Sequence, residues 1–298
     1  MEATIGRDRA VTSWSLQQLS KDQVIELCIS LALGFGSFLL HFLPVHERPI
    51  PYQLLESGEY VLNLSINEQF DGDTVSNTWL FLLGLILPGL LQLFLVTKCT
   101  RFGTLDGIHR TVCSYAVAHA LNDLATESMK VFCGYLRPSF YQLCEPDENY
   151  EYCLGADADD ARKSFPSGHA STSFCGLTLL ALFIHQQFGL RSIRKVEQTV
   201  IFAGEGSRIA RCQTAYSKPP LFYRAISILS LLPIALALFV AASRVHDNKH
   251  FPADVTAGSV LGASVAIYVN ALWFDNTFDY TFTLDESSSY TRVGSIEG

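Results

Sequence analysis

The sequence predicts an all-α protein, an integral membrane bundle of six transmembrane helices. Three observations predict it. Of 298 residues, 49% are hydrophobic and only 17% charged, with a mean hydropathy of +0.22; an ordinary soluble chain of this length is less apolar and more charged. The apolar residues fall in six runs of about 20 residues, the length that carries an α-helix across about 30 Å of hydrocarbon. Polar residues gather near the ends of these runs, away from the bilayer centre, where a charge costs about 2.5–3.5 kcal/mol. The net charge of −8 excludes a nucleic-acid partner, since no basic stripe is available to neutralise a phosphate backbone.

Residues 1–22 read as a polar tail, and Val24–Leu43 as the first span. The opening MEATIG has neither a glycine after Met for myristoylation nor a short cleavable apolar segment, so the first span is expected to serve as the anchor. Residues 44–77 are Pro-rich, then acidic, and carry the sequon Asn63-Leu64-Ser65, which makes Asn63 a candidate glycosylation site. Trp79–Val96 is the second span; its internal Pro88-Gly89 is better tolerated in a membrane than in water.

The third span, Thr111–Phe132, is interrupted by His119, Asn122, Asp123, Glu127 and Lys130. His119, Asp123 and Glu127 follow i, i+4, i+8 spacing, and with Lys130 they are expected to form one polar stripe facing the bundle. Interhelical hydrogen bonding is the plainer role for His119 and Asn122. In the acidic loop 133–165, Cys144 and Cys153 bracket the acidic middle and could pair on an oxidising side. The eight cysteines show no CxxC pair or metal-type spacing.

Gly168–Phe188, opening on PSGHAS, is the fourth span, followed by a basic connection from Arg191 to Arg224. Phe222–Ala242 and Val255–Phe274 are the fifth and sixth. Ala257, Gly258, Gly262, Ala263 and Ala266 would let the last helix approach its neighbours closely. One domain, 23–275, is expected, with a disordered polar tail at 276–298. Six spans put both tails on one side together with the second-to-third and fourth-to-fifth connections. That side holds 14 of the 21 Lys and Arg residues and is therefore expected to be cytosolic.

Three polar segments fall on the opposite, lumenal or extracellular face: Lys130–Pro138, Ser164–His169 and Ser243–Asp254. Two of them open helices, whose free N–H groups and positive dipole ends favour an anion. Lys130 and Arg137 are two helical turns apart and are expected to reach one anion from the end of the third span before Pro138 stops it. His250 and Asp254 are four apart, so on a helix the carboxylate would hold the imidazole in one tautomer; Pro252 suits a first helical turn. With cations, two histidines and helix N-termini together, the natural ligand is a phosphate. Taken singly, Lys130 could be a snorkelling lysine, Arg137 an interfacial anchor and Ser167 the cap of the fourth helix.

Lys-x6-Arg-Pro, Pro-Ser-Gly-His and Ser-Arg-x5-His-x3-Asp, in that order, resemble the three signature motifs of the type 2 phosphatidic acid phosphatase superfamily. Within it the chain is most similar to the six-span lipid phosphate phosphatases. Phe251 departs from the pattern, since many of these carry a second histidine there. The resemblance implies a phosphoric monoester hydrolase with its active site at the exoplasmic membrane surface, needing no cofactor and no metal. It implies His250 as nucleophile, His169 as general acid and Asp254 as the group orienting His250. Lys130, Arg137, Ser167, Gly168 and Arg244 would bind the phosphate. His246 lies off the motif and reads as a solvated loop residue. The implied partners are the bilayer and its lipid phosphates: phosphatidate, lysophosphatidate, diacylglycerol pyrophosphate or sphingoid phosphates, with a homo-oligomer left open. A phospho- or phosphocholine transferase and a non-catalytic lipid-binding relative are the alternatives.

Overall fold

The computed structural model describes residues 20–98, 105–187 and 221–274. Both expected tails, apart from 20–22, and the basic connection up to 220 lie outside these residues. Helix α1, Lys21–Leu40, starts on a capping box: Gln23 N donates to Ser20 Oγ at 3.3 Å and Ser20 N to Gln23 Oε1 at 3.0 Å. The second helical run comprises α2 (Asn77–Leu80), a π-helical stretch Phe81–Ile86, and α3 (Leu87–Lys98). Its irregularity traces to Pro88, which has no N–H and whose ring crowds the carbonyl four residues back, so the helix widens ahead of it. The Tyr115 hydroxyl donates to the Leu85 carbonyl at 2.6 Å and so occupies a carbonyl beside the disturbance.

Helix α4, Leu105–Cys133, begins six residues before the expected third span. The short α5 (Phe140–Cys144) and α6 (Ala158–Ala161) follow, and a disulfide joins Cys144 to Cys153. Helix α7 is Gly168–Gln187. The fifth run is two helices, α8 (Leu221–Leu229) and α9 (Leu232–His246), rather than one. Pro233 sits in the first turn of α9 and cannot continue α8; Ser230 at the break bonds the ring of His185 at 2.7 Å. Because α9 runs on to His246, Ser243, Arg244 and His246 are helical and not in a loop. Helix α10 is Pro252–Phe274. Among the described residues the only strands are β1 (Tyr52–Leu54) and β2 (Tyr60–Leu62), an antiparallel hairpin with Tyr52 opposite Leu62. Three-residue strands leave too little alternation to be seen in the sequence.

Helix α7 is the hub, packed against α3, α4, α9 and α10. The small residues of α10 face it: a Cβ at Gly258 would lie 2.5 Å from the Ser167 carbonyl oxygen, and one at Gly262 would collide with the Ser171 carbonyl. Among the described residues four stretches are long and apolar enough to cross a membrane: Lys21–Leu40, Asn77–Lys98, Arg224–His246 and Pro252–Phe274. Helices α4 and α7 are also long enough, at 29 and 20 residues. They are more polar because they lie inside: Asn122 and Thr126 of α4 meet Ser171 of α7 at 3.4 and 3.0 Å, all three buried.

The expected stripe on α4 does not keep to one neighbour. Every fourth residue advances about 40° beyond a full turn, so His119 packs on Tyr115 near Gly176 of α7, while Asp123 stands 3.9 Å from His41 at the end of α1.

Candidate active site

The three polar segments converge at one end of the bundle. After α9, Asn248 takes a left-handed turn at φ 53°, and the N–H groups of Lys249 and His250 both donate to the Arg244 carbonyl, at 3.1 and 3.2 Å. This turn folds His250 beneath the helix end, where it is only 3% exposed. Its Nδ1 is 2.7 Å from the Ser164 carbonyl oxygen and therefore carries the proton, which leaves the lone pair on Nε2. Nε2 lies 3.3 Å from an Arg137 guanidinium nitrogen. Burial, and then the charges of Arg137, Lys130 and Arg244, hold the His250 pKa well below its ordinary 6.5, so the ring is neutral.

Asp254 differs from expectation. It stands 3.9 Å from His250 Nδ1, beyond hydrogen-bond reach. Its Oδ2 instead accepts Ser164 Oγ at 2.6 Å and Phe251 N at 3.0 Å. The reason is that α10 begins at Pro252, so His250 precedes the helix and the i, i+4 relation fails. Asp254 is linked to the ring through Ser164, whose hydroxyl donates to the carboxylate and whose carbonyl accepts the imidazole Nδ1–H.

Lys130 and Arg137 do not share a helix either. Gly134 ends α4 in the left-handed region, φ 54°, with its N–H on the Lys130 carbonyl at 3.1 Å. Only glycine fits, because a Cβ would collide with the His46 carbonyl oxygen. Carbonyls at the helix end are taken by His46 N (to Val131, 2.9 Å) and Arg48 Nε (to Cys133, 2.8 Å). The extended 134–137 segment then delivers Arg137 beside His250, where it also donates to the Lys249 carbonyl at 3.0 Å. Lys130 Nζ reaches the start of α7, 2.9 Å from where a Cβ on Gly168 would lie. Ser167 is fully buried and its Oγ accepts Ala170 N at 3.4 Å, the capping role.

His169 and Arg244 meet at one acceptor: the Val75 carbonyl takes His169 Nε2 at 3.1 Å and Arg244 at 3.1 Å. The segment ahead of α2 is tied down by Thr74, whose N and Oγ1 donate to Asp247 at 2.9 and 2.6 Å, and by Glu68 N on the Pro138 carbonyl at 2.9 Å. His246 is exposed and Asn63 also lies on the surface, its Oδ1 accepting Ser65 N and Oγ at 3.1 and 2.8 Å.

Every cation here faces a carboxylate. Lys130 pairs with Glu127 at 2.5 Å, Arg137 with Asp160 at 2.6 Å, and Arg244 with Asp73 at 2.8 Å and Asp247 at 3.3 Å. Lys249, over the Phe70 ring at 3.9 Å, stands 3.6 Å from Asp160. Asp73, Asp160, Asp247 and Lys249 were not among the expected site residues. Acidic residues in wet loops look alike in a sequence, and Val75 contributes only a carbonyl, which leaves no side-chain signal. Burial raises the Asp160 pKa, but Arg137, Lys249 and Lys130 together outweigh it and hold the carboxyl below its ordinary range. One donor is left over: Arg244 Nε is buried, on a side chain 3% exposed, and has no hydrogen-bond partner among the described residues. An unpartnered buried guanidinium N–H is a strong donor available to an anionic oxygen.

The sequence pattern described as the PAP2 superfamily matches residues 111–278, more than half of the chain. The chain belongs to the PAP2 superfamily. Among PAP2 relatives it is 30% identical over 180 residues to lipid phosphate phosphatase 1 of Arabidopsis thaliana, covering 57% of this chain and 47% of that protein. It is 31% identical over 162 residues to phospholipid phosphatase 2 of Rattus norvegicus, covering 51% and 47%, and 24% identical over 272 residues to probable lipid phosphate phosphatase 4 of Arabidopsis thaliana, covering 88% and 76%. The chain thus spans about half the length of the first and the rat relative. These similarities lie on the lipid phosphate phosphatase branch of the PAP2 superfamily. No solved structure matches the chain.

Among the described residues two groupings have donor sets suited to a cation: Glu26, His109 and Cys113, and His41, Asp123 and Glu127, the last of which also pairs with Lys130. The sequence was expected to hold none. Each set is assembled from α1 and α4, so no linear spacing displays it.

Proposed function

We propose that this chain is an integral-membrane lipid phosphate phosphatase that works without a metal, through a phosphohistidine on His250. The observation that carries the reading is the Nε2 lone pair of a neutral, buried His250 beside Arg137, together with the unpartnered Nε of Arg244. Nε2 attacks phosphorus, the P–O bond to the lipid breaks, and His169 gives its proton to the departing alkoxide. A water then attacks the phosphohistidine, returning a proton to His169 and breaking the P–N bond to release inorganic phosphate. Lys130, Arg137 and Arg244 balance the equatorial oxygens, with the Gly168 N–H and Ser167 at the head of α7. For this the phosphate must replace Asp160 and Asp73 on the arginines. Both carboxylates are partly exposed, at 45% and 31%.

The proposed topology has six spans, α4 and α7 supplying the two inner ones, within one domain, 23–275. It puts both termini in the cytosol and the site on the lumenal or extracellular surface. Asn63 and the Cys144–Cys153 disulfide sit at the same end as His250, as a glycan and a disulfide on the oxidising side require. Phosphatidate, lysophosphatidate, diacylglycerol pyrophosphate and sphingoid phosphates present the headgroup at that depth. The decisive experiment traps the intermediate with a labelled lipid phosphate in mixed micelles. An acid-labile, base-stable phosphoenzyme is expected from the parent chain and none from His250→Ala; undiminished label in the variant would overturn the mechanism. An added lipid alcohol separates hydrolysis from transfer, since a transferase would label the alcohol.

A further inference from the structure

At the end of the bundle away from His250, α1 and α4 bring three metal-type donors together. Glu26 Oε2 lies 3.0 Å from His109 Nε2, and Cys113 Sγ lies 3.6 Å from the same nitrogen, all three atoms within 4.8 Å of one another. A tetrahedral ion with bonds of about 2.0–2.3 Å to N, O and S has edges of about 3.3–3.6 Å. The Glu26–His109 and Cys113–His109 separations are close to these, and because Sγ also lies 3.7 Å from His109 Nδ1, a rotation of the Cys113 side chain toward Nε2 completes the set. His109 and Cys113 are successive turns of one helix face, and Glu26 comes from the neighbouring helix. Cys113 is 1% exposed and the His109 side chain 9%, while Glu26 is half-open.

We propose that Glu26, His109 and Cys113 form a binding site for a zinc-class divalent transition-metal ion. The thiolate and imidazole select against magnesium and calcium, which take oxygen ligands. Three protein ligands leave a fourth position, and Glu26 and His109 adjoin a cavity of about 440 Å³ lined also by Asp22, Gln23, Asp106, Arg110 and Trp273. Its charges favour a cation: Asp22, Glu26 and Asp106 stand against Arg110, which is already bound to Asp106 at 2.8 Å. Loading converts the Cys113 thiol to a thiolate and releases its proton to solvent. The ion would clamp α1, which packs chiefly on α4 and leaves Ile25, Ile29, Leu31 and Phe35 exposed.

Cobalt(II) reports the site directly. Full-length protein in detergent, stripped with chelator, is titrated with cobalt. One equivalent is expected to produce an intense near-ultraviolet thiolate-to-metal band with tetrahedral visible bands, and one equivalent of zinc to displace both. Cys113→Ser should abolish the near-ultraviolet band, and Glu26→Gln should weaken cobalt binding by at least about tenfold. His41, Asp123 and Glu127 have no thiolate and cannot give that band. Zinc should raise the melting temperature of the parent and leave Cys113→Ser unmoved. Absence of a saturable band in the parent, or a band undiminished in Cys113→Ser, would overturn the proposal; neither readout depends on phosphatase turnover.

Discussion

Arg244 holds the Val75 carbonyl, Asp73 and Asp247 and still has Nε to offer. A lysine supplies the charge but not this fork. Arg244→Lys is therefore expected to lower kcat/KM almost as far as Arg244→Ala, by about 10²–10³-fold; full rescue by lysine would refute the geometric role. At Asp160 the expected sign is the reverse. If phosphate replaces it on Arg137, Asp160→Asn should tighten vanadate inhibition by about tenfold, the equivalent of about 1.4 kcal/mol from one charge-assisted bond. His250 sets the pH behaviour. Its pKa in the folded chain lies well below 6.5, so its contribution to stability is complete above about pH 6.5 and is lost as the pH falls. By the same shift, the acid limb of kcat/KM should fall well below pH 6.5, and a limb centred at 6.5 would contradict a buried neutral nucleophile. Lys249 was not legible in the sequence, whereas Lys130, Arg137, His169, Arg244 and His250 were, from side-chain chemistry, their gathering at span ends and the family resemblance. Their carboxylate partners were not, because Asp73 and Asp160 acquire meaning only from what the fold sets against them.

Among elements, the two places where helical spacing misled are the two where a helix stops or starts beside the site. Gly134 ends α4 before Arg137, and Pro252 starts α10 after His250. Gly134→Ala should therefore cost about 2–4 kcal/mol, the range of strain plus a buried clash, with the loss read as a lowered melting temperature. Ser164 and Asp254 should behave as one unit, since the side-chain hydrogen bond that links Asp254 to the acceptor of the His250 ring runs through Ser164. In a double-mutant cycle, Ser164→Ala together with Asp254→Ala is expected to lower kcat little further than Asp254→Ala alone. Fully multiplicative losses would show that the carboxylate acts on the ring by another route. Pro88 and Pro233 announced irregular helices in the sequence, yet the form of each, a π-helical widening in one case and a break in the other, depends on neighbours such as Tyr115 and His185.

For the whole molecule, hydropathy foretold the outer helices well, because lipid-facing surfaces must be apolar throughout. It spoke less clearly for α4 and α7, where hydrogen bonds such as Asn122 to Ser171 replace lipid contact. If the site lies on the lumenal or extracellular side, Asn63 should carry glycan in a eukaryotic membrane, and Asn63→Gln should remove a glycosidase-sensitive mobility shift. A glycan-free Asn63 that is reached only from the cytosolic side would invert the topology. The Val75 oxygen has a consequence of its own. It is a single acceptor tied to α7 through His169 and to α9 through Arg244, so displacing the segment ahead of α2 would break both bonds at once, while Asp247 would stay on Arg244.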